Sequence, residues 1–151
     1  MEKIKQAIKH DPENNQHGNC YQHALAYLLG VDYRSVPHFY SYEELGPWPG
    51  TAEAVERVNE RRRRWLAEKN LSSFCVGWPM DPDDVLDLMG ESYPGLEYIM
   101  TARSIIADHC VVCRGGSIIY DPAMRNPSFI GRCKHDGMVT VEVVCPLAIR
   151  G

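Results

Sequence analysis

No stretch of this chain stays apolar for the ~18 residues that a membrane-spanning helix needs, so no spanning segment is expected. The first residues, MEKIKQAIKHDPENN, are charged and contain no apolar signal core, so the expected location is the cytoplasm. A basic excess is missing as well. Lys and Arg number 16 against 20 Asp and Glu, a formal net charge of −4. That balance argues against nucleic-acid binding, which draws on clustered positive charge. The single dense basic run, RRRR at residues 61–64, is flanked by Glu and reads as the solvated face of a helix. Gly-rich phosphate loops, internal repeats, low-complexity tracts and domain-separating linkers are also lacking. What remains is one domain, 1–151, with 44% hydrophobic and 24% charged residues, the balance of a folded chain with a core. The six cysteines do not follow the spacing of a secreted disulfide framework. In a reducing compartment they are expected as free thiols: buried hydrophobes, metal ligands, or one reactive group among bystanders.

Periodicity divides the chain into a helical half and a strand-rich half. Residues 1–9 suit a short helix, and HDPENNQHGN a loop. Cys20, Ala24, Leu25, Leu28 and Leu29 recur at helical spacing, and Gly30 ends the run. The aromatic, Pro-rich segment 31–50 reads as an irregular loop with one helical turn. Residues 51–70 form a second helix, with Thr51 as N-cap and a stripe of Val55, Val58, Trp65 and Leu66. SSFCVGW is a short strand, and DPDDVLDLMG a helix entered through Pro82. LEYIMTARS, HCVVCRGG, SIIYDP and MVTVEVVCPL are then strands, with RGGS as a hairpin turn. Helices followed by an antiparallel sheet give the α+β class.

The chemistry concentrates at three positions. Cys20 opens a helix, where unpaired backbone N–H groups and the positive dipole end favour thiolate over thiol. A thiol nucleophile needs a base and a group that orients the base. His109 begins one strand of the RGGS hairpin and Asp121 ends the other, so the two are expected to be neighbours. Alternation puts Val111 and Cys113 on the face of His109, with Cys110 and Val112 opposite. Asp108, adjacent in sequence, should point away.

The order Cys, His, Asp, with GNCYQHALAYLLG, then VPHF, then DHCVVCRGGSIIYDPAM, resembles the papain-like cysteine peptidases. The likeness is closest to the leader-peptide peptidase domains of bacteriocin exporters and to small papain-like proteins of tailed phages. It implies a Cys-bearing helix packed on a sheet that carries His and Asp. It implies Cys20 as nucleophile, His109 as general base and then acid, and Asp121 as ring orienter. The substrate class implied is a peptide or protein cleaved at an amide, isopeptide or related acyl bond, with no metal or organic cofactor. The phage likeness implies a host cytoplasm. The family's Gln oxyanion donor usually lies six residues before the Cys, where this chain has Asn14. Gln16, four before, is the better chemical match.

Two other readings stand beside it. One is a papain-like binding module without catalysis, aimed at a host protein. The other is a zinc-bound structural domain using His17, Cys20 and His23, with Cys133 and His135. Cys75 and Cys145 read as core residues. Cys110 and Cys113 form a CxxC whose members should face opposite ways along a strand. Trp48 and Trp78, beside prolines, read as loop packing, with a substrate groove as the alternative.

Overall fold

In the computed structural model, which describes residues 5–123 and 129–147, the helices precede most of the sheet. The order is α1 (Cys20–Leu29), α2 (Tyr42–Leu45), α3 (Ala52–Ala67), β1 (Leu71–Trp78) and α4 (Pro82–Ser92). Then come β2 (Glu97–Ser104), β3 (Asp108–Arg114), β4 (Ser117–Tyr120), β5 (Phe129–Gly131) and β6 (Val139–Pro146). The strands form one antiparallel sheet, ordered β1-β6-β2-β3-β4, with β5 paired to the end of β2. The class is therefore α+β.

The sheet has two buried faces because its central strands carry apolar residues on both sides of the pleat. Ile99, Cys110, Val112 and Tyr120 face α1 and α3, meeting Ala24, Leu25, Phe39 and Val58. Tyr98, Met100, Val111 and Cys113 face the other way, meeting Val85 and Met89 of α4 and Val139, Val141 and Val143 of β6. Strand β3 lies between β2 and β4, so HCVVC is buried at every position. Local signals end the helices where expected. Thr51 Oγ1 accepts the Ala54 N–H at 3.1 Å, and Gly30, at φ +70°, turns its N–H back to the last carbonyls of α1.

The structure departs from the sequence expectations in four places. Of the helix expected over 1–9, residues 1–4 lie outside the described residues, and 5–9 form no helix but an irregular segment with a bend at 7–8. The donors of that segment go to tertiary partners: Gln6 N–H to Pro122 O (2.7 Å), Ala7 N–H to His23 Nε2 (3.1 Å) and Ile8 N–H to Asn19 Oδ1 (2.9 Å). The basic run is not wholly solvated, since Arg62 is buried against Glu142 of β6. Cys75 is exposed and Cys145 only half-buried, because β1 is an edge strand and its partner β6 is covered incompletely there. Strand β5 was not anticipated; it is three residues long and registers with β2 only near Arg103 and Ser104.

Candidate active site

The start of α1 is held by side-chain amides. Asn19 does not cap the helix with its side chain. Its Oδ1 instead accepts from Ile8 N–H, and its Nδ2 donates to Gln22 Oε1 at 3.0 Å. Gln22 Nε2 in turn donates to Val36 O (2.7 Å) and Tyr33 O (3.0 Å). These buried groups fix the position at which Cys20 emerges, half-buried, into a cavity of about 570 Å³. As the first helical residue, Cys20 has a backbone N–H with no intrahelical acceptor.

Strand β3 brings the other two groups. The β3–β4 ladder stops at the Val112–Tyr120 pair, so the chain following Tyr120 is free to fold back beside the start of β3. Asp121 Oδ1 there accepts both His109 Nε2 at 2.7 Å and the Ala123 N–H at 2.9 Å. The second bond is a local turn contact that aims the carboxylate. Lys5 Nζ and Gln6 N–H bond the carbonyls of Asp121 and Pro122, so the N-terminal segment braces this corner. His109 is 6% exposed, which restricts its ring to one placement.

Electrostatics link the three residues. A hydrogen bond from Cys110, together with a hydrogen bond and charge from His109, outweighs burial and holds the Cys20 thiol well below its ordinary pKa. Burial works against the charged form of His109, but hydrogen bonds and charge from Asp121 and Cys20 lift it to about 9. Burial also opposes the Asp121 carboxylate, and the bonds from His109 and Ala123 N–H bring it below the usual range. These shifts all favour the same charge state, a Cys20 thiolate beside a His109 imidazolium with the Asp121 carboxylate behind it. Because Nε2 is held by Asp121, Nδ1 is the ring nitrogen left to serve Cys20.

The remaining sequence candidates go elsewhere. Gln16 is exposed and donates to Lys9 O at 2.7 Å, and Asn14 donates to Asp11 Oδ2 at 2.8 Å. The Asp11–Gln16 backbone bridge turns both side chains away from the cavity, and neither lines it. Gln6 does line it. Its Nε2 bonds Ile8 O at 2.7 Å, leaving one amide hydrogen for a further acceptor. Nothing in the spacing to Cys20 pointed to Gln6, because the irregular segment 5–9 is placed by its tertiary hydrogen bonds.

Asp108, set aside as a partner for His109, bonds His135 Nδ1 at 2.9 Å. His17 Nε2 bonds Gly46 O (2.7 Å), His23 Nε2 accepts from Ala7 N–H, and Cys133 Sγ reaches Thr101 O (3.7 Å). Among the described residues no three His, Cys, Asp or Glu side chains are grouped as metal ligands would be. Cys110 and Cys113 sit in opposite cores. Trp48 lines the cavity with Pro49, whereas Trp78 packs on the α4 side. Compared with protein-family models, curated proteins and solved structures, the chain finds no significant match.

Proposed function

We propose that the chain is a papain-like cysteine hydrolase acting on a peptide or protein at an amide, isopeptide or related acyl bond. The observation that carries the reading is the 2.7 Å contact from His109 Nε2 to Asp121 Oδ1, with Cys20 and the same imidazole lining one cavity and favouring each other's charged forms. Cys20 Sγ attacks the carbonyl carbon as a thiolate. The backbone N–H of Cys20 and the amide of Gln6 are the donors available to the oxyanion. His109 gives its proton to the leaving amine and then takes one from the water that hydrolyses the thioester. An amine in place of water gives acyl transfer through the same intermediate. No residue of this sequence of steps needs a metal or organic cofactor. Among the described residues no helix is long and apolar enough to cross a membrane, which fits a substrate met away from a bilayer.

Alkylation tests the reading without knowledge of the substrate. Limiting iodoacetamide across roughly pH 5 to 9 should modify Cys20 first, with an apparent pKa well below the ~8.5 of a free thiol. Cys20→Ala should remove that label and keep the far-UV circular dichroism. Uniform slow labelling with Cys20 protected would make it a packing residue and sink the mechanism. The placement of Gln16 and Asn14 outside the cavity favours a second reading, a papain-like binding module. It requires that Cys20→Ser retain full function in cells, and loss of function there excludes it.

A further inference from the structure

The hydrolytic steps leave one buried thiol unused. Cys110 follows His109 on β3, is 7% exposed and faces α1. Its sulfur lies 3.3 Å from Thr101 Oγ1 on the neighbouring strand, and Cys20 packs against the same apolar cluster, close enough for the two thiols to shift each other's ionisation. Both sulfurs border the same cavity. A second thiol beside the proposed nucleophile is not required by the triad, and an apolar side chain would fill the space at less cost in desolvation. Cys75 and Cys133 also border the cavity. The first lies on the edge strand beside Arg62 and Glu142, and the second bonds Thr101 O.

We propose that Cys110 is the resolving thiol of Cys20, so that a peroxide converts the pair into a reversible Cys20–Cys110 disulfide. The proposal rests on Cys20 being the thiolate of the reading above. The Cys20 thiolate attacks one oxygen of hydrogen peroxide, forming S–OH as the O–O bond breaks. The leaving hydroxide takes the His109 proton and departs as water. Cys110 then attacks the sulfenic sulfur. The S–O bond breaks, the S–S bond forms, and the Cys110 proton leaves through neutral His109 with the hydroxide as a second water. Two thiols lose two electrons and the peroxide gains them. The order of steps has a built-in cause, because the interaction with Cys20, then burial, then the Cys20 charge keep Cys110 protonated. Oxidation of Cys20 removes the charge and eases the ionisation of Cys110, while burial stays as it was. Cys20 and Cys110 line one cavity and pack in one cluster, and closing the disulfide brings their sulfurs to ~2.05 Å. The same bond shields Cys20 from the irreversible sulfinic and sulfonic acids.

The native chain is treated with a small molar excess of hydrogen peroxide, blocked with iodoacetamide under denaturing conditions, digested and mapped by mass spectrometry. A Cys20–Cys110 cross-linked peptide is expected, and dithiothreitol should restore the rapid alkylation of Cys20. In Cys110→Ser, which keeps a hydrogen-bond donor, the same dose should carry Cys20 to sulfinic acid that dithiothreitol does not reverse. Native protein showing Cys20 as sulfinic acid with Cys110 freely alkylated overturns the proposal. So does a disulfide joining Cys20 to Cys75, to Cys133 or to a second chain. These results stand apart from the hydrolase reading. Selective low-pKa alkylation of Cys20 with no cross-link rejects the resolving role alone, whereas inertness of Cys20 to both reagents rejects both. If Cys110→Ser does not fold, the mapping of the native chain decides by itself.

Discussion

Asp121 is the residue that lets His109 keep its proton above neutrality. The ordinary value for His is near 6.5, and in the fold it stands at about 9. The pair therefore adds stability in full below about 6.5 and loses it as pH rises through about 9. Catalysis by thiolate and imidazolium should fade across that same alkaline limb. Asp121→Asn removes the charge while keeping the shape. We expect the His109 titration, followed by NMR, to fall from about 9 toward the ordinary value, and the Cys20 alkylation pKa to rise toward the ~8.5 of a free thiol. An unmoved His109 titration would show that Asp121 does not act on the ring. The nearness of His109 and Asp121 was legible from the sequence because the Gly-Gly hairpin sends the second strand back along the first, although the ladder ends at Val112–Tyr120 and the fold-back after Tyr120 completes the contact. The oxyanion donor proposed above was not. Gln6 reaches the cavity through tertiary hydrogen bonds to Pro122, His23 and Asn19, which no local spacing encodes.

Two glycines separate backbone conformation from contact among the secondary-structure elements. Gly30 ends α1 at φ +70°, and a Cβ there would meet open space. Gly115 turns β3 into β4 at φ +54°, and a Cβ there would lie 2.5 Å from Pro94 O. Gly30→Ala should cost about 1 kcal/mol, the left-handed conformation alone. Gly115→Ala adds a backbone clash to the same strain and should cost about 2–4 kcal/mol. It should also weaken the hairpin that sets Asp121 beside His109. Urea denaturation of the two variants checks the ranking, and equal losses would mean that the Pro94 segment yields freely. RGGS as a turn could be read because Gly-Gly between β-rich runs has few other uses. Strand β5 could not, since three residues carry no readable alternation and its pairing depends on where β2 ends.

Across the whole molecule, Arg62 and Glu142 join the helical half to the sheet. Arg62 lies on α3 and Glu142 on β6, at 8% and 3% exposure, and Tyr21 beside Cys20 donates its hydroxyl to Glu142 Oε1 at 2.7 Å. Val58, Arg62 and Leu66 are buried at successive intervals of four on α3. That spacing is visible in the sequence, but four consecutive arginines place charge on every side of the helix, and the partner that lets one of them be buried lies far along the chain. The neighbouring pairs Arg63–Glu56 and Arg64–Glu60 are exposed, and each is expected to contribute under about 1 kcal/mol. The buried pair behaves differently, because removing one member strands the other charge away from water. Arg62→Met should therefore cost about 3–5 kcal/mol. Replacing both, Arg62→Met with Glu142→Leu, should recover most of that loss, short of the hydrogen bond that Tyr21 gives up, worth about 1 kcal/mol. The cycle is read by urea denaturation at neutral pH. Coupling of several kcal/mol would identify a clasp between helix and sheet at the cavity wall. Single losses no larger than those of the exposed pairs would mean that water reaches Glu142, leaving the two apolar cores to hold the layers together.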